Sequence, residues 1–143
     1  MSAAKLYSPE VLALAAGLAA WPFDPAMGRT GAARSPSCGS SLALSLGTDA
    51  AGRIERIGMR AQACAIGQAS AAIFARGAVG TNREYIASAA EAVARWLAGA
   101  GALPEWPGLD AISAAAAFPG RHGAIMLPWK AALDALPTAA EHG

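Results

Sequence analysis

Residues 64–71 read Cys-Ala-Ile-Gly-Gln-Ala-Ser-Ala and mark a change of periodicity in the chain. Before them, apolar residues alternate as on a strand with one buried face; these are Ile57, Met59 and Ala61. After Cys64, apolar and small residues recur at helical spacing; these are Ile66, Ala69, Ile73 and Gly77. The sequence therefore predicts that a strand ends and a helix begins at Cys64.

A second strand is predicted just upstream, because every second residue from Leu42 to Leu46 is leucine. Residues 48–52 read Thr-Asp-Ala-Ala-Gly and favour a hairpin loop between the two strands. Ile54 has the opposite parity to the apolar residues that follow it in the second strand. A β-bulge near Arg56 would bring all of these side chains to the buried face.

The beginning of the chain predicts a helix over residues 9–20. Ser8 is a hydroxyl cap, Pro9 suits the first helical position, and Glu10 lies near the positive end of the helix dipole. Residues 21–37 are rich in Gly, Pro, Arg and Ser, and they indicate an extended loop with one short strand. A helix therefore precedes the sheet.

Further helices are predicted after the segment that begins at Cys64. Thr81 and Glu84 fit a capping box at the start of one of them, and residues 109–117 form a short segment. Two helices have apolar residues at successive turns: Tyr85, Ala89, Val93 and Leu97, then Ile125, Trp129, Leu133 and Leu136. The order predicts an α+β fold, with an N-terminal helix, a small antiparallel sheet and several helices packed on one side of it.

The size and charge of the chain limit the classes of function. Its 143 residues are enough for one domain, which we place at residues 1–143 with a core from about residue 6 to residue 136. The formal net charge is +1, with acidic and basic residues mixed along the chain. This balance of charges does not indicate a basic surface of the kind that binds nucleic acid. No apolar run is long enough for a membrane span, and no charged leader precedes residues 11–20, so we expect a cytoplasmic protein with reduced thiols.

The two cysteines are Cys38 and Cys64. Cys38 lies in a loop between Pro36, which stiffens the approach, and Gly39, which allows a tight turn. Cys64 lies at a predicted helix start, where unpaired N–H groups stabilise the thiolate that binds metals. One hairpin separates the two residues and can return both to the same end of the sheet. Two cysteines 26 positions apart are not by themselves a metal motif, and a small buried side chain at Cys64 with an incidental loop thiol at Cys38 is the alternative.

Several segments together resemble the U-type iron–sulfur cluster assembly scaffold family, which comprises IscU, SufU and the N-terminal part of NifU. They occur in the family's order and span most of the chain: 6–11, 35–39, 52–57, 64–71, 118–121 and 127–131. The segment 64–71 is similar to the family's second-cysteine helix, and 35–39 is similar to its first ligand loop. The final segments and the stretch 99–118 resemble the SufU-like branch.

The resemblance implies a metal site in which this chain lacks half of the ligands. The family uses three cysteines and an aspartate, of which the first two cysteines correspond to Cys38 and Cys64. The aspartate position is Ser40, and the third cysteine position is Ala124. His122, two residues before the lost cysteine, is the remaining candidate ligand. Because zinc and iron–sulfur sites normally use four donors, the ligand set is degenerate.

The resemblance implies a scaffold, not an enzyme, that binds iron or an iron–sulfur cluster through Cys38 and Cys64. Such scaffolds receive sulfur from a cysteine desulfurase and pass the cluster to recipient apo-proteins. A homodimer could supply four thiolates. Two alternatives remain open: a paralogue that builds no cluster and acts as a desulfurase-binding regulator or one-thiol sulfur acceptor, and a zinc-binding sulfur-transfer partner that uses Cys38, Cys64, His122 and water. Neither a membrane nor nucleic acid is an expected partner.

Overall fold

The computed structural model describes residues 6–36 and 39–137. Helix α1 is followed by three strands and then by three further helices. Their bounds are α1 (Pro9–Gly17), β1 (Arg29–Arg34), β2 (Ser41–Thr48), β3 (Ile54–Gln62), α2 (Ala65–Ala78), α3 (Arg83–Leu97) and α4 (His122–Ala135). Short 3₁₀ turns lie at Leu18–Ala20, Pro25–Met27, Leu109–Ala117 and Pro119–Arg121. The α+β fold predicted from the sequence is confirmed.

The three strands form an antiparallel sheet in the order β1-β2-β3. Leu44 pairs with Gly31 on one side and with Met59 on the other, so these residues share one face of the sheet. The register shifts where Gly47 pairs with Arg56 and Thr48 pairs with Ile54. This irregularity is the β-bulge that was predicted because Ile54 is out of phase with the apolar residues that follow it. The bulge turns Ile54 to the buried face.

The helices pack on the face of the sheet that carries the leucines of β2. Helix α4 crosses β1 and β2 on this face, and α2 packs between α4 and α1. The close crossing is possible because Gly31 has no side chain: a Cβ there would lie 2.6 Å from the backbone nitrogen of Ala135 and would collide with the carbonyl oxygen of Ala131. The rings of Phe74, Trp106 and Trp129 fill the space behind α2 and α4, with centroids 5.3 Å apart.

Residues 21–28 partly cover the opposite, outer face and one edge of the sheet. The N–H of Met59 donates to the carbonyl of Trp21 at 2.8 Å, and Pro22 forms an isolated bridge with Met59. The N–H of Asp24 donates to Ser45 Oγ at 3.0 Å, which explains why this strand serine is fully buried. The loop predicted for this segment therefore protects the sheet edge.

Helix α3 begins one residue later than the capping box predicted. The N-cap is Asn82, whose side-chain oxygen accepts the N–H of Tyr85 at 2.9 Å, while Thr81 Oγ1 donates to the carbonyl of Ala78. In the first turn Ile86 and not Tyr85 enters the core, whereas Val93 and Leu97 are buried as predicted. The capping-box prediction was wrong because two adjacent residues can cap a helix, and asparagine is the better N-cap of the two.

Replacing Asn82 by alanine should lower the free energy of unfolding by about 1 kcal/mol, because the first turn of α3 loses its side-chain acceptor. Chemical denaturation would measure the change. Ser88→Ala, an exposed substitution on the same helix, is the control and should leave stability within about 0.5 kcal/mol of the parent. Equal stability of the two variants would contradict the assignment of Asn82 as the cap.

None of the helices within residues 6–36 and 39–137 combines the length and the hydrophobicity that crossing a bilayer requires.

Candidate functional site

The candidate site lies at one end of the sheet, where three strand termini meet in register. Arg34 at the end of β1 pairs with Ser41 at the start of β2, and Ser41 pairs with Gln62 at the end of β3. The loop of residues 35–40 leaves the sheet at this end, and the chain reaches Cys64 two residues after β3. The sheet register therefore places Cys64 at the same end of the sheet as Ser35 and Ser40, the described residues that flank position 38.

Backbone hydrogen bonds join the described residues on the two sides of Cys38. The N–H of Ser35 donates to the carbonyl of Ser40 at 2.8 Å, and the N–H of Gly39 donates to the carbonyl of Ser35 at 2.9 Å. Gly39 has a φ of +73°, which is the left-handed conformation expected for the tight turn. Cys38 itself lies outside the described residues, so its role stays a prediction.

Ser40, which the family resemblance assigns to the aspartate position, is buried with an exposed fraction of 6%. Its backbone carbonyl closes the loop as described above. A hydroxyl is neutral and offers a weaker donor to iron or zinc than a carboxylate does. The loop therefore keeps its shape at this position without the charged ligand.

Cys64 is the N-cap residue of α2, with a φ of −65° and a ψ of 170°. Its backbone carbonyl accepts the N–H of Gln68 at 3.0 Å, which is the first hydrogen bond of the helix. The side chain is half-buried and packs against the edge of the core. Cys64 thus lies at the strand-to-helix junction predicted from the sequence, and part of the residue remains exposed.

Ala124 is the third residue of α4 and packs against the first turn of α2. A Cβ added to Gly67 would lie 3.2 Å from Ala124 Cβ, and Ser70 Oγ donates to the carbonyl of Ile125 at 2.7 Å. The other end of α4 lies at the far end of the sheet, where Leu136 lines a cavity with Arg29. The start of α4 therefore adjoins the Cys64 end, and Ala124, which the resemblance assigns to the third-cysteine position, presents a buried methyl group there.

His122 makes a local contact at the start of α4. Its Nε2 lies 2.9 Å from the carbonyl oxygen of Ala116, and the half-buried ring lines a surface depression with Leu97 and Met126. Because a carbonyl oxygen only accepts hydrogen bonds, Nε2 carries the proton in this contact. Nδ1 is the nitrogen that remains for a metal.

Sequence reasoning missed a contact that joins the N-terminal segment to the start of α4. Arg121 Nη2 donates to the phenolic oxygen of Tyr7 at 2.9 Å. Both residues lie in segments that carry the family resemblance, but 114 positions separate them, and no pattern in the sequence relates them. The contact holds the chain before α1 next to the element that carries Ala124.

The described residues do not by themselves make a metal site. Within residues 6–36 and 39–137, no three His, Cys, Asp or Glu side chains lie close enough together to hold an ion. Of the four family positions, the described ones contribute one thiol, one hydroxyl and one methyl group. Two further donors would be needed even with Cys38 included.

No protein-family model matches the sequence, and no curated protein matches it. Solved structures match it in fold. The N-terminal part of a nitrogen-fixing NifU-like protein from Brucella abortus is 23% identical, with 93% of each chain covered and a TM-score of 0.80. A protein from Fervidobacterium islandicum, described as an iron–sulfur cluster assembly scaffold for the SUF system, is 19% identical over 95% of this chain and 100% of its own, with a TM-score of 0.82.

A third structure, described only as that of a hypothetical protein, is 23% identical over 87% of this chain and 95% of its own, with a TM-score of 0.72. At these identities the likeness establishes the fold. It agrees with the resemblance carried by residues 35–39 and 64–71. The chain therefore has the fold of the U-type iron–sulfur cluster assembly scaffold proteins.

Proposed function

We propose that this chain is a member of the U-type scaffold family, SufU-like branch, and that it binds iron or an iron–sulfur cluster as cargo through Cys38 and Cys64. The observation that carries the proposal is the register of Arg34, Ser41 and Gln62, which brings the 35–40 loop and Cys64 to one end of a scaffold-type sheet. The chain acts as one domain. It acts as a carrier, not as an enzyme.

The missing donors come from a second copy of the chain. If the ends that carry Cys38 and Cys64 face each other in two chains, they provide four thiolates. This is the number of ligands that a [2Fe–2S] cluster requires. The partial exposure of Cys64 supports this arrangement, because a fully enclosed thiol could not face a second subunit. The partners are a cysteine desulfurase that supplies sulfur and apo-proteins that receive the cargo, and the setting is the cytoplasm.

Anaerobic reconstitution with ferrous iron and sulfide tests this function. The protein should develop the visible absorbance of a cluster with two irons per dimer and should elute as a dimer. Cys38→Ala and Cys64→Ala should each abolish the absorbance and the dimer, because each removes two of the four ligands. His122→Ala is the matched control and should retain both, since His122 is no ligand in this arrangement.

A protein that stays monomeric and free of iron under every condition would contradict cluster binding across a dimer. Cluster formation that survives both cysteine substitutions would contradict the ligand assignment. Zinc bound to the purified protein and lost in His122→Ala would favour the zinc-binding alternative, with Nδ1 as the ligand.

A second candidate function is a one-thiol sulfur acceptor that regulates or serves a desulfurase. The burial of Ser40 and Ala124 favours it, because the two neutral side chains occupy positions where the family has ligands. In this reaction the thiolate of Cys64 or Cys38 attacks the outer sulfur of the desulfurase's cysteine persulfide. The sulfur–sulfur bond of the donor breaks, its cysteine leaves as a thiolate, and a persulfide forms on this chain. Intact-mass analysis after incubation with a persulfide donor would detect one added sulfur atom.

A further inference from the structure

The positive charge of the chain is concentrated in the sheet. Residues 29–62 contain five arginines against two acidic residues, while the whole chain has eleven basic and ten acidic residues. Arg53 is paired with Asp49 within the β2–β3 turn at 3.3 Å. The remaining arginines of the strands therefore give this part of the molecule a net positive charge that the overall value of +1 conceals.

Two of these arginines flank a cleft on the outer face of the sheet, at the end that carries the candidate site. Arg34 and Arg60 line it with Gln62, and its floor consists of small residues that include Ala32 and Ala43. The cleft has a volume of about 500 Å³. From the register, Arg34 and Arg60 are separated by roughly 10 Å across the sheet and roughly 7 Å along it.

Neither arginine forms an ion pair with a residue in the described part of the chain. An acidic residue does contact the cleft, since Asp134 Oδ2 accepts the N–H of Ala32 at 3.0 Å. Among residues 6–36 and 39–137, the Arg53–Asp49 contact is the one ion pair, so no described carboxylate lies within 4.0 Å of Arg34 or Arg60. Arg60 lies over the ring of Phe23 at 4.8 Å, which holds its guanidinium in place without using its hydrogen-bond donors. Both side chains are exposed.

We propose that this cleft, lined by Arg34 and Arg60, is a docking surface for an acidic, extended segment of a partner protein. Arginine binds carboxylates with a bidentate geometry, and small residues between the two arginines allow a backbone to approach the sheet. In an extended peptide, side chains four residues apart are separated by about 13 Å, which is close to the spacing of the two arginines. Nucleic acid is a poorer fit, because two cations on a nearly neutral chain neutralise few phosphates.

The position of the cleft gives the surface a role. Arg34 is the last residue of β1 and directly precedes the 35–40 loop, so a partner held here would lie beside the candidate site. The docking surface itself follows from the charges and the cleft. The statement that the docked partner delivers or receives iron or sulfur rests on the proposed function.

A fluorescent peptide of about ten residues with alternating Glu and Ser is a direct probe, and a Gln-for-Glu peptide is its control. The acidic peptide should bind at low salt and more weakly at about 0.15 M ionic strength. Arg34→Glu with Arg60→Glu should weaken binding by at least about tenfold, because like charges then oppose each other. Arg76→Glu with Arg95→Glu makes the same change in net charge at exposed helix positions and should alter binding less than about twofold.

Amide chemical-shift mapping locates the peptide, and perturbations centred on Ala32, Ala43 and Gln62 are expected. Arg34→Gln with Arg60→Gln is a milder variant that separates loss of docking from loss of folding, which circular dichroism checks. The proposal would be overturned if the sheet and helix double variants weakened peptide binding equally, or if the chemical-shift changes were centred elsewhere. It would also be overturned if a thymidine oligonucleotide or phosphatidylserine vesicles bound more tightly than the acidic peptide. Cluster reconstitution is a separate readout and should be unchanged in Arg34→Gln with Arg60→Gln, so failure of docking and failure of the proposed function can be distinguished.

Discussion

A chain in which Ser40 is replaced by aspartate and Ala124 by cysteine should bind one zinc ion per monomer, with an affinity at least about 100-fold above that of the unmodified chain. The two substitutions add a carboxylate and a thiolate at the end of the sheet where Cys64 lies, which completes a four-donor set with Cys38. Competition with a chromophoric chelator measures the affinity. Cobalt(II) in place of zinc reports a tetrahedral thiolate site by its visible spectrum.

The new thiol would enter a close contact between α4 and α2. A Cβ at Gly67 would lie 3.2 Å from Ala124 Cβ, so only the missing side chain of Gly67 leaves space beside residue 124. Some overpacking is expected, because Ala124 is fully buried, and it should cost about 1–3 kcal/mol in the metal-free protein. Zinc binding should more than offset this loss, since structural sites of this kind bind with about 10–16 kcal/mol.

A matched control uses Ser40→Asp with Ala132→Cys. Ala132 is also fully buried on α4, but it lies two turns further along the helix, away from Cys64. This variant has the same residue composition as the first and should show no gain in zinc affinity. A similar gain in both variants would mean that the added cysteine acts outside the proposed site. No gain in the first variant, with its fold intact, would show that position 124 does not converge with Cys38 and Cys64.

Gly31→Val should lower the free energy of unfolding by about 3 kcal/mol or more, the upper part of the range for overpacking. A Cβ at residue 31 meets backbone atoms of Ala131 and Ala135, and backbone atoms cannot move away by changing a rotamer. Helix α4 would have to lift from β1 and β2, which exposes part of the core. A thermal melt should show a fall in Tm of roughly 10 °C.

Ala32→Val is the control on the same strand. Ala32 is exposed on the outer face, so the larger side chain meets solvent and should change stability by less than about 0.5 kcal/mol. Valine favours strands at both positions, so the difference between the variants measures the crowding under α4 and not strand propensity. A Gly31→Val protein as stable as the control would contradict the close crossing of α4 over β1.

Local patterns were sufficient for most elements of the fold. The alternation from Leu42 to Leu46 predicted β2, the parity of Ile54 predicted the bulge, and the change of period at Cys64 predicted the start of α2. These features depend on neighbours within a few positions, where side-chain direction follows directly from backbone type. The start of α3 was misplaced by one residue because Thr81 and Asn82 can both cap a helix, and it is Asn82 that accepts the N–H of Tyr85.

The contacts between the residues of the candidate site could not be predicted from local sequence patterns. By itself, the sequence determined that a cysteine stands at the start of α2, and its resemblance to the scaffold family assigned Ser40 and Ala124 to two ligand positions. The tertiary structure decided which of these residues meet: strand pairing aligned Arg34, Ser41 and Gln62, and the crossing of α4 placed Ala124 against Gly67. It also directed His122 Nε2 to Ala116. Such contacts join residues far apart in the chain, and they form only where burial of the whole core outweighs the entropy of closing long loops.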